Sequence, residues 1–176
     1  MIKLSIDNKP VEVPEGTSLL EAARKIGVKI PTLCFLEGIQ AIGACRVCLA
    51  EVEGSRTLVA SCVMPVTEGM KAHTNTKRVR DARRMVVELL LSEHGGDCQT
   101  CGRADDCELR KVARELGIRE QRYAGEQAKD VRDESTPGLV RHNAKCIKCR
   151  RCVAVCQNVQ AVGALFPQGR GFKSQV

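Results

Sequence analysis

Glu93-His94-Gly95-Gly96-Asp97-Cys98-Gln99-Thr100-Cys101-Gly102-Arg103-Ala104-Asp105-Asp106-Cys107 is the stretch around which the rest of the chain reads. It carries one histidine and three cysteines in the spacing His-x3-Cys-x2-Cys-x5-Cys. Imidazole and thiolate are borderline and soft donors, and glycines between them let a backbone curl around a common centre. The spacing predicts one metal site built from His94, Cys98, Cys101 and Cys107. The bland competitor is a loop of reduced, unlinked thiols behind a histidine that merely ends a helix. Cysteines elsewhere in the chain argue against it.

Those totals constrain the whole. The chain has 176 residues with 11 cysteines, three Phe, one Tyr and no Trp. A large aromatic core is unavailable, so several small subdomains need another source of stability, crosslinks or metal ligation. Disulfides are the poorer choice: the cysteine count is odd, and Met1-Ile-Lys-Leu-Ser-Ile-Asp7 carries no apolar signal region, which predicts a reducing cytoplasm. No apolar run approaches ~20 residues, so no direct membrane span is expected. The net charge of +7 invites a nucleic-acid reading. It counts thiolate ligands as neutral, however, and buried anionic clusters offset a basic excess. Aromatic platforms for bases are also missing. No nucleic-acid partner is predicted.

From the N-terminus, residues 2–7 alternate apolar and polar as a half-buried strand does. Asp7-Asn8-Lys9-Pro10 turns the chain, and Val11 to Val13 completes a hairpin. Ser18 with Glu21 is a capping box that opens a helix over about 18–26, ended by Gly27. Leu19, Leu20, Ala23 and Ile26 form its apolar face. Cys34 and a loop follow, then Cys45 and Cys48. Leu49 to Glu53 and Thr57 to Cys62 read as another hairpin, and Val66 to Thr74 holds a last strand. Thr76 caps a helix from Lys77 to about Glu93, whose predicted buried stripe is Val79, Ala82, Met85, Val86, Leu89 and Leu90. Arg78, Arg80, Arg83 and Arg84 fall mostly off that stripe, as a solvated face or one turned to an acidic partner. A second helix, about Glu108 to Leu116, stops at Gly117. Residues 118–140 are polar and read as a connecting strap. A helix over about 153–160 and a short strand, Val162 to Phe166, are expected at the end.

Strand–strand–helix–strand–strand order with Cys34-x10-Cys45-x2-Cys48-x13-Cys62 matches the plant-type ferredoxin arrangement in outline. The ten-residue first gap, with Gly43-Ala44-Cys45-Arg46-Val47-Cys48-Leu49, resembles the [2Fe–2S] domain of the complex I 75-kDa-type subunit and of [FeFe]-hydrogenases. Structural zinc is the competing reading, although zinc usually takes two close cysteine pairs and only one is close here. Further on, Cys146-Ile-Lys-Cys149-Arg-Arg-Cys152-Val-Ala-Val-Cys156 is the bacterial ferredoxin run, with Gln157 where proline is usual. Its competitors are a zinc knuckle or unliganded thiols.

Taken together, the three patterns resemble the N-terminal iron–sulfur electron-transfer region of [FeFe]-hydrogenases and of the NADH dehydrogenase (complex I) large subunit, shared by NAD(P)-linked hydrogenase and formate dehydrogenase subunits. The resemblance implies one [2Fe–2S] cluster on Cys34, Cys45, Cys48 and Cys62. It implies a [4Fe–4S] cluster with one histidine ligand on His94, Cys98, Cys101 and Cys107, and a second [4Fe–4S] cluster on Cys146, Cys149 and Cys152. Cys156 completes that cluster or serves a further one, if the polypeptide continues beyond Val176, as relatives do. The expected fold is α+β: a plant-type ferredoxin-like (β-grasp) domain over 1–76, a helical domain with the His/Cys site over 77–117, the strap over 118–140, and a ferredoxin-type segment over 141–176. The expected function is electron relay between a flavin, NAD(P)H or ferredoxin site and a remote active site. The expected partners are flavin- or NAD(P)-binding and catalytic subunits of a redox complex, or soluble ferredoxin. A stand-alone ferredoxin-like carrier is the first rival, a zinc-dependent nucleic-acid-binding module the second. The chain shows no dinucleotide fingerprint, phosphate loop or nucleophile–base pair, so no catalytic site of its own is expected. His73 and His142 read as surface or loop residues. Lys145, Lys148, Arg150 and Arg151 either steer an acidic partner or offset cluster charge.

Overall fold

The computed structural model describes residues 1–95, 98–126 and 132–176. They divide into two compact units, Met1–Val86 and Val87–Val176.

In the first unit, β1 (Ile2–Ile6) and β2 (Lys9–Val13) form the predicted antiparallel hairpin, with Ile2 opposite Val13 and Ile6 opposite Lys9. Asp7 and Asn8 make the turn at positive φ, where short polar side chains are tolerated. Alternation sends Leu4, Ile6, Val11 and Val13 inward. The helix α1 (Leu19–Lys25) begins at the predicted capping box: Ser18 Oγ accepts from the Glu21 amide, and the Ser18 amide donates to Glu21 Oε2 at 2.9 Å. Leu19, Leu20, Ala22 and Ala23 are buried on it, and Gly27 at φ 74 ends it.

After the cysteine loop come β3 (Leu49–Val52), β4 (Val59–Ala60) and β5 (Lys71–His73). The five-stranded sheet has the order β2-β1-β5-β3-β4, with β5 parallel to β1 and the other neighbours antiparallel. This non-local parallel pair closes the unit around a small core of aliphatic side chains, Phe35, Cys48 and Cys62. Asp7 supports the return, accepting from the Thr74 amide at 2.7 Å and its hydroxyl at 2.5 Å.

The helix α2 (Lys77–Glu93) starts in the first unit and ends in the second. Thr76 Oγ1 accepts from the Val79 amide at 3.2 Å, the predicted cap. The buried face is rotated from the predicted stripe. Val79 and Val87 are buried, but so are Arg83, Glu88 and Ser92, while Met85 and Leu89 are each 49% exposed. Two charged side chains found partners good enough to displace two apolar ones.

In the second unit α3 (Glu108–Glu115) buries Leu109, Val112 and Ala113, and Gly117 at φ 64 follows it. The segment expected to be a strap ends in a β-hairpin, β6 (Arg132–Thr136) with β7 (Leu139–His142); residues 127–131 of it lie outside the described residues. Next come a 3-10 turn (Asn143–Lys145), the short helix α4 (Arg151–Ala154) and a π-helical turn (Val155–Val159). The strand expected over 162–166 is not formed: among the described residues the segment meets no partner strand, and Val162 and Phe166 stay exposed. Among the described residues no helix is long and apolar enough to cross a membrane.

Candidate metal centres

The first group lies in the loops before β3 and after β4. Cys34, Cys48 and Cys62 are buried and Cys45 is half-buried. Arg46, at φ 55, bends the chain between Cys45 and Cys48. Cys48 Sγ and Cys62 Sγ lie 3.4 Å apart. Two thiolates on one tetrahedral metal at about 2.3 Å sit roughly 3.8 Å apart, a separation close to that of these two sulfurs. Cys34 accepts hydrogen bonds from Cys45 first and Cys62 second, which hold its thiol far below the usual range, at about 2. The same contacts push Cys45 and Cys62 upward, while Cys62 draws Cys48 down to about 6. The four sulfurs lie within interaction distance of one another in a largely buried pocket. All four residues expected at this site are therefore brought together.

The second group is gathered in the same sense. His94, Cys98, Cys101 and Cys107 line one hollow of about 280 Å³, its open mouth included, together with Arg110 and Lys145. Gly96 and Asp97, inside this motif, lie outside the described residues. His94 leaves the end of α2, its amide bonded to Leu91 O at 3.2 Å. Cys107 sits at the N-cap of α3 and accepts from the Arg110 amide at 3.5 Å. Burial depresses the His94 pKa, with Lys145 and His142 adding to the effect; the imidazole is thereby kept in the neutral form that binds metals. Lys145 Nζ stands 3.8 Å from Cys101 Sγ.

The third group is held by a tight coil. Lys148 at φ 56 and Arg150 at φ 60 turn the backbone between the cysteines, and the Lys148 amide donates to Cys146 Sγ at 3.4 Å. Burial raises the Cys149 thiol, the Arg151 amide opposes it, and the nearby Cys146 and Cys152 sulfurs add to the rise. Cys152 and Cys156 lie four positions apart across α4 and the π-helical turn.

Some residues here were beyond sequence reasoning. Arg83, read as part of a polar face, is buried against the first group. Its Nε donates to Val47 O at 2.9 Å and its Nη2 to Leu49 O at 2.8 Å and Thr74 O at 3.3 Å. Burial lowers its pKa and the charge of Cys48 opposes that. Two basic residues of the third run are partly buried, while Arg150 is exposed. Lys148 Nζ pairs with Glu93 at 2.6 Å and Arg151 with Glu108 at 2.5 Å, so both cations are taken up by carboxylates of the chain itself. For Lys145, adjacency to Cys146 was the one available signal. His73 is in β5, 3.2 Å from Glu53, and His142 ends β7.

Among the described residues no three His, Cys, Asp or Glu side chains close on a single metal-ion position. Fold and site together define an iron–sulfur electron-transfer module. A family model described as a 2Fe-2S iron-sulfur cluster binding domain matches residues 1–77, and one described as the NADH-ubiquinone oxidoreductase-G iron-sulfur binding region matches residues 83–122.

The chain is similar over its whole length to subunits of an NADP-reducing hydrogenase and of NADH-quinone oxidoreductases. Over its whole length it is 43% identical to the NADP-reducing hydrogenase subunit HndD of Solidesulfovibrio fructosivorans, of which it spans 31%. It is likewise 37% identical to the NADH-ubiquinone oxidoreductase 75 kDa subunit of Reclinomonas americana and 33% identical to an NADH-quinone oxidoreductase subunit of Rhizobium meliloti, spanning 26% and 21% of them. The chain thus spans about a third or less of these relatives. A solved NAD+-reducing [NiFe]-hydrogenase in the H2-reduced state superposes with a TM-score of 0.92 at 28% identity, covering 99% of this chain and 73% of that one.

Proposed function

We propose that the chain relays single electrons between a flavin, NAD(P)H or ferredoxin site and a remote active site of the hydrogenase or formate dehydrogenase kind, as part of a complex with flavin- or NAD(P)-binding and catalytic subunits. It works in the cytoplasm, where its thiols stay reduced. In this reading the first unit contains a β-grasp domain of the plant ferredoxin type, with a [2Fe–2S] cluster on Cys34, Cys45, Cys48 and Cys62. A [4Fe–4S] cluster sits on His94, Cys98, Cys101 and Cys107, and another on Cys146, Cys149 and Cys152 in a ferredoxin-type segment. Cys156 completes that last cluster or serves a further one.

The observation that carries the reading is the hollow ringed by His94, Cys98, Cys101 and Cys107. Bound clusters supply one-electron redox chemistry. The protein's own residues hold the donors in place, keep His94 neutral and surround the sulfurs with the cations Arg83 and Lys145.

Iron and sulfide analysis with EPR of the reduced chain tests this. Full loading of the three sites gives about ten iron atoms per chain (2 + 4 + 4). About six removes the third cluster and leaves Cys156 a bystander, and a colourless zinc protein overturns the reading. With ten found, a Cys156→Ser variant that loses about four iron atoms makes Cys156 the fourth ligand of the third cluster.

A further inference from the structure

Arg83 is 6% exposed and makes three hydrogen bonds, all to main-chain carbonyls of the first unit. Two of those carbonyls belong to Val47 and Leu49, the residues on either side of Cys48. The guanidinium therefore grips the peptide groups that flank one of the cysteines. Among the described residues no carboxylate pairs with it. Three carbonyls need donors, not charge, and a neutral side chain would serve them at a far smaller desolvation penalty. A cation is retained in such a place when negative charge lies close by, and the Cys48 sulfur stands between the two peptide groups that Arg83 grips.

We propose that Arg83 is a positioning residue for the two-iron site: it fixes the Val47–Leu49 backbone around Cys48, and its buried charge raises the reduction potential there. The proposal rests on the assignment of Cys34, Cys45, Cys48 and Cys62 as the [2Fe–2S] ligands. Reduction moves one electron from a donor such as dithionite onto the site, breaks no bond and adds one negative charge beside Cys48. Arg83 stabilises that added charge more than the charge already present, and removing it favours the oxidised state.

The test is an EPR-monitored potentiometric titration of the intact chain with dithionite, comparing the unsubstituted protein with Arg83→Gln and Arg83→Lys. Iron and sulfide are measured on the same samples. Arg83→Gln should shift the ratio of oxidised to reduced two-iron centre at a fixed potential about tenfold or more, a fall of ~59 mV for a one-electron couple. Arg83→Lys, which keeps the charge, should recover most of that shift. An Arg83→Gln chain with its full two-iron signal and an unmoved midpoint overturns the proposal, as does a lysine variant that falls as far as the glutamine one. If Arg83→Gln fails to hold the centre, Arg83→Lys decides alone: a retained midpoint supports the role of charge and a tenfold shift overturns it. An unsubstituted chain with no two-iron signal would instead overturn the ligand assignment, and this proposal with it.

Discussion

Glu88 has no exposed side-chain surface, and Arg122 closes over it: Nε lies 3.0 Å from Oε1 and 2.9 Å from Oε2, and Nη2 lies 2.5 Å from Oε2. Gln121 adds a bond to the Glu88 carbonyl at 3.3 Å. The chain after α3 is thereby fastened to α2 about a turn and a half before His94. A buried carboxylate explains why α2 does not turn its most apolar stripe inward.

This pair predicts an asymmetry between single and double substitutions. Arg122→Leu removes the guanidinium that closes over the buried Glu88 carboxylate and should destabilise the chain. Glu88→Leu combined with Arg122→Leu should recover part of that loss, because the buried carboxylate is then gone as well. Chemical denaturation of the three variants checks the order. Equal losses in the single and double variants would mean that the pair contributes packing, not charge.

The capping box of α1 gives a prediction in pH. The Ser18 amide, and then the Ser18 hydroxyl, hold the Glu21 carboxyl below its ordinary value. A depressed carboxyl contributes stability that is present above its unfolded pKa and is lost as pH falls through the lower folded value. Ser18→Ala should cost about 1 kcal/mol near neutrality, with the gap from the unsubstituted protein narrowing in acid. Urea melts across that pH range test it; a gap that does not narrow would show that Glu21 is not the partner that matters.

His94→Cys bears on the proposed middle cluster. A thiolate in place of a neutral imidazole adds one negative charge to the ligand set and should lower that centre's potential. Redox titration followed by EPR reads the shift. An unmoved potential with full iron content would exclude His94 as a ligand.

Gly43 sits at φ 61, and a Cβ there would lie 3.1 Å from Val63 Cγ2. Gly43→Ala should destabilise the first unit by about 1–2 kcal/mol through its left-handed backbone, with a further steric part. A Val63→Ala partner substitution should relieve the steric part alone. Thermal melts of the single and double variants separate the two, and a full rescue would rule out backbone strain.

What the sequence disclosed follows the range of the forces involved. Ser18 with Glu21 and Thr76 before α2 were legible because a cap is a local bargain among three or four residues. The grouping of Cys34, Cys45, Cys48 and Cys62, and of His94 with Cys98, Cys101 and Cys107, was legible because their spacing is written directly into the chain. Arg83 was not, since its carbonyl partners lie 9 to 36 positions away and charge patterning treats any arginine as solvated. The β6–β7 hairpin escaped because Arg132-Asp-Glu-Ser-Thr136 has no apolar alternation to mark a strand. Val162 to Phe166 misled in the opposite sense, with strand-like composition and no edge to pair with.

Lys145 belongs to two places at once: its ammonium lines the hollow of His94 and Cys101, and its own peptide bond leads into Cys146. Lys148, inside the third run, is likewise tied to Glu93, the neighbour of His94. Ordering the third run therefore also arranges one wall of the middle hollow. On the proposed ligand assignment, filling either of these two centres would help shape the site of the other.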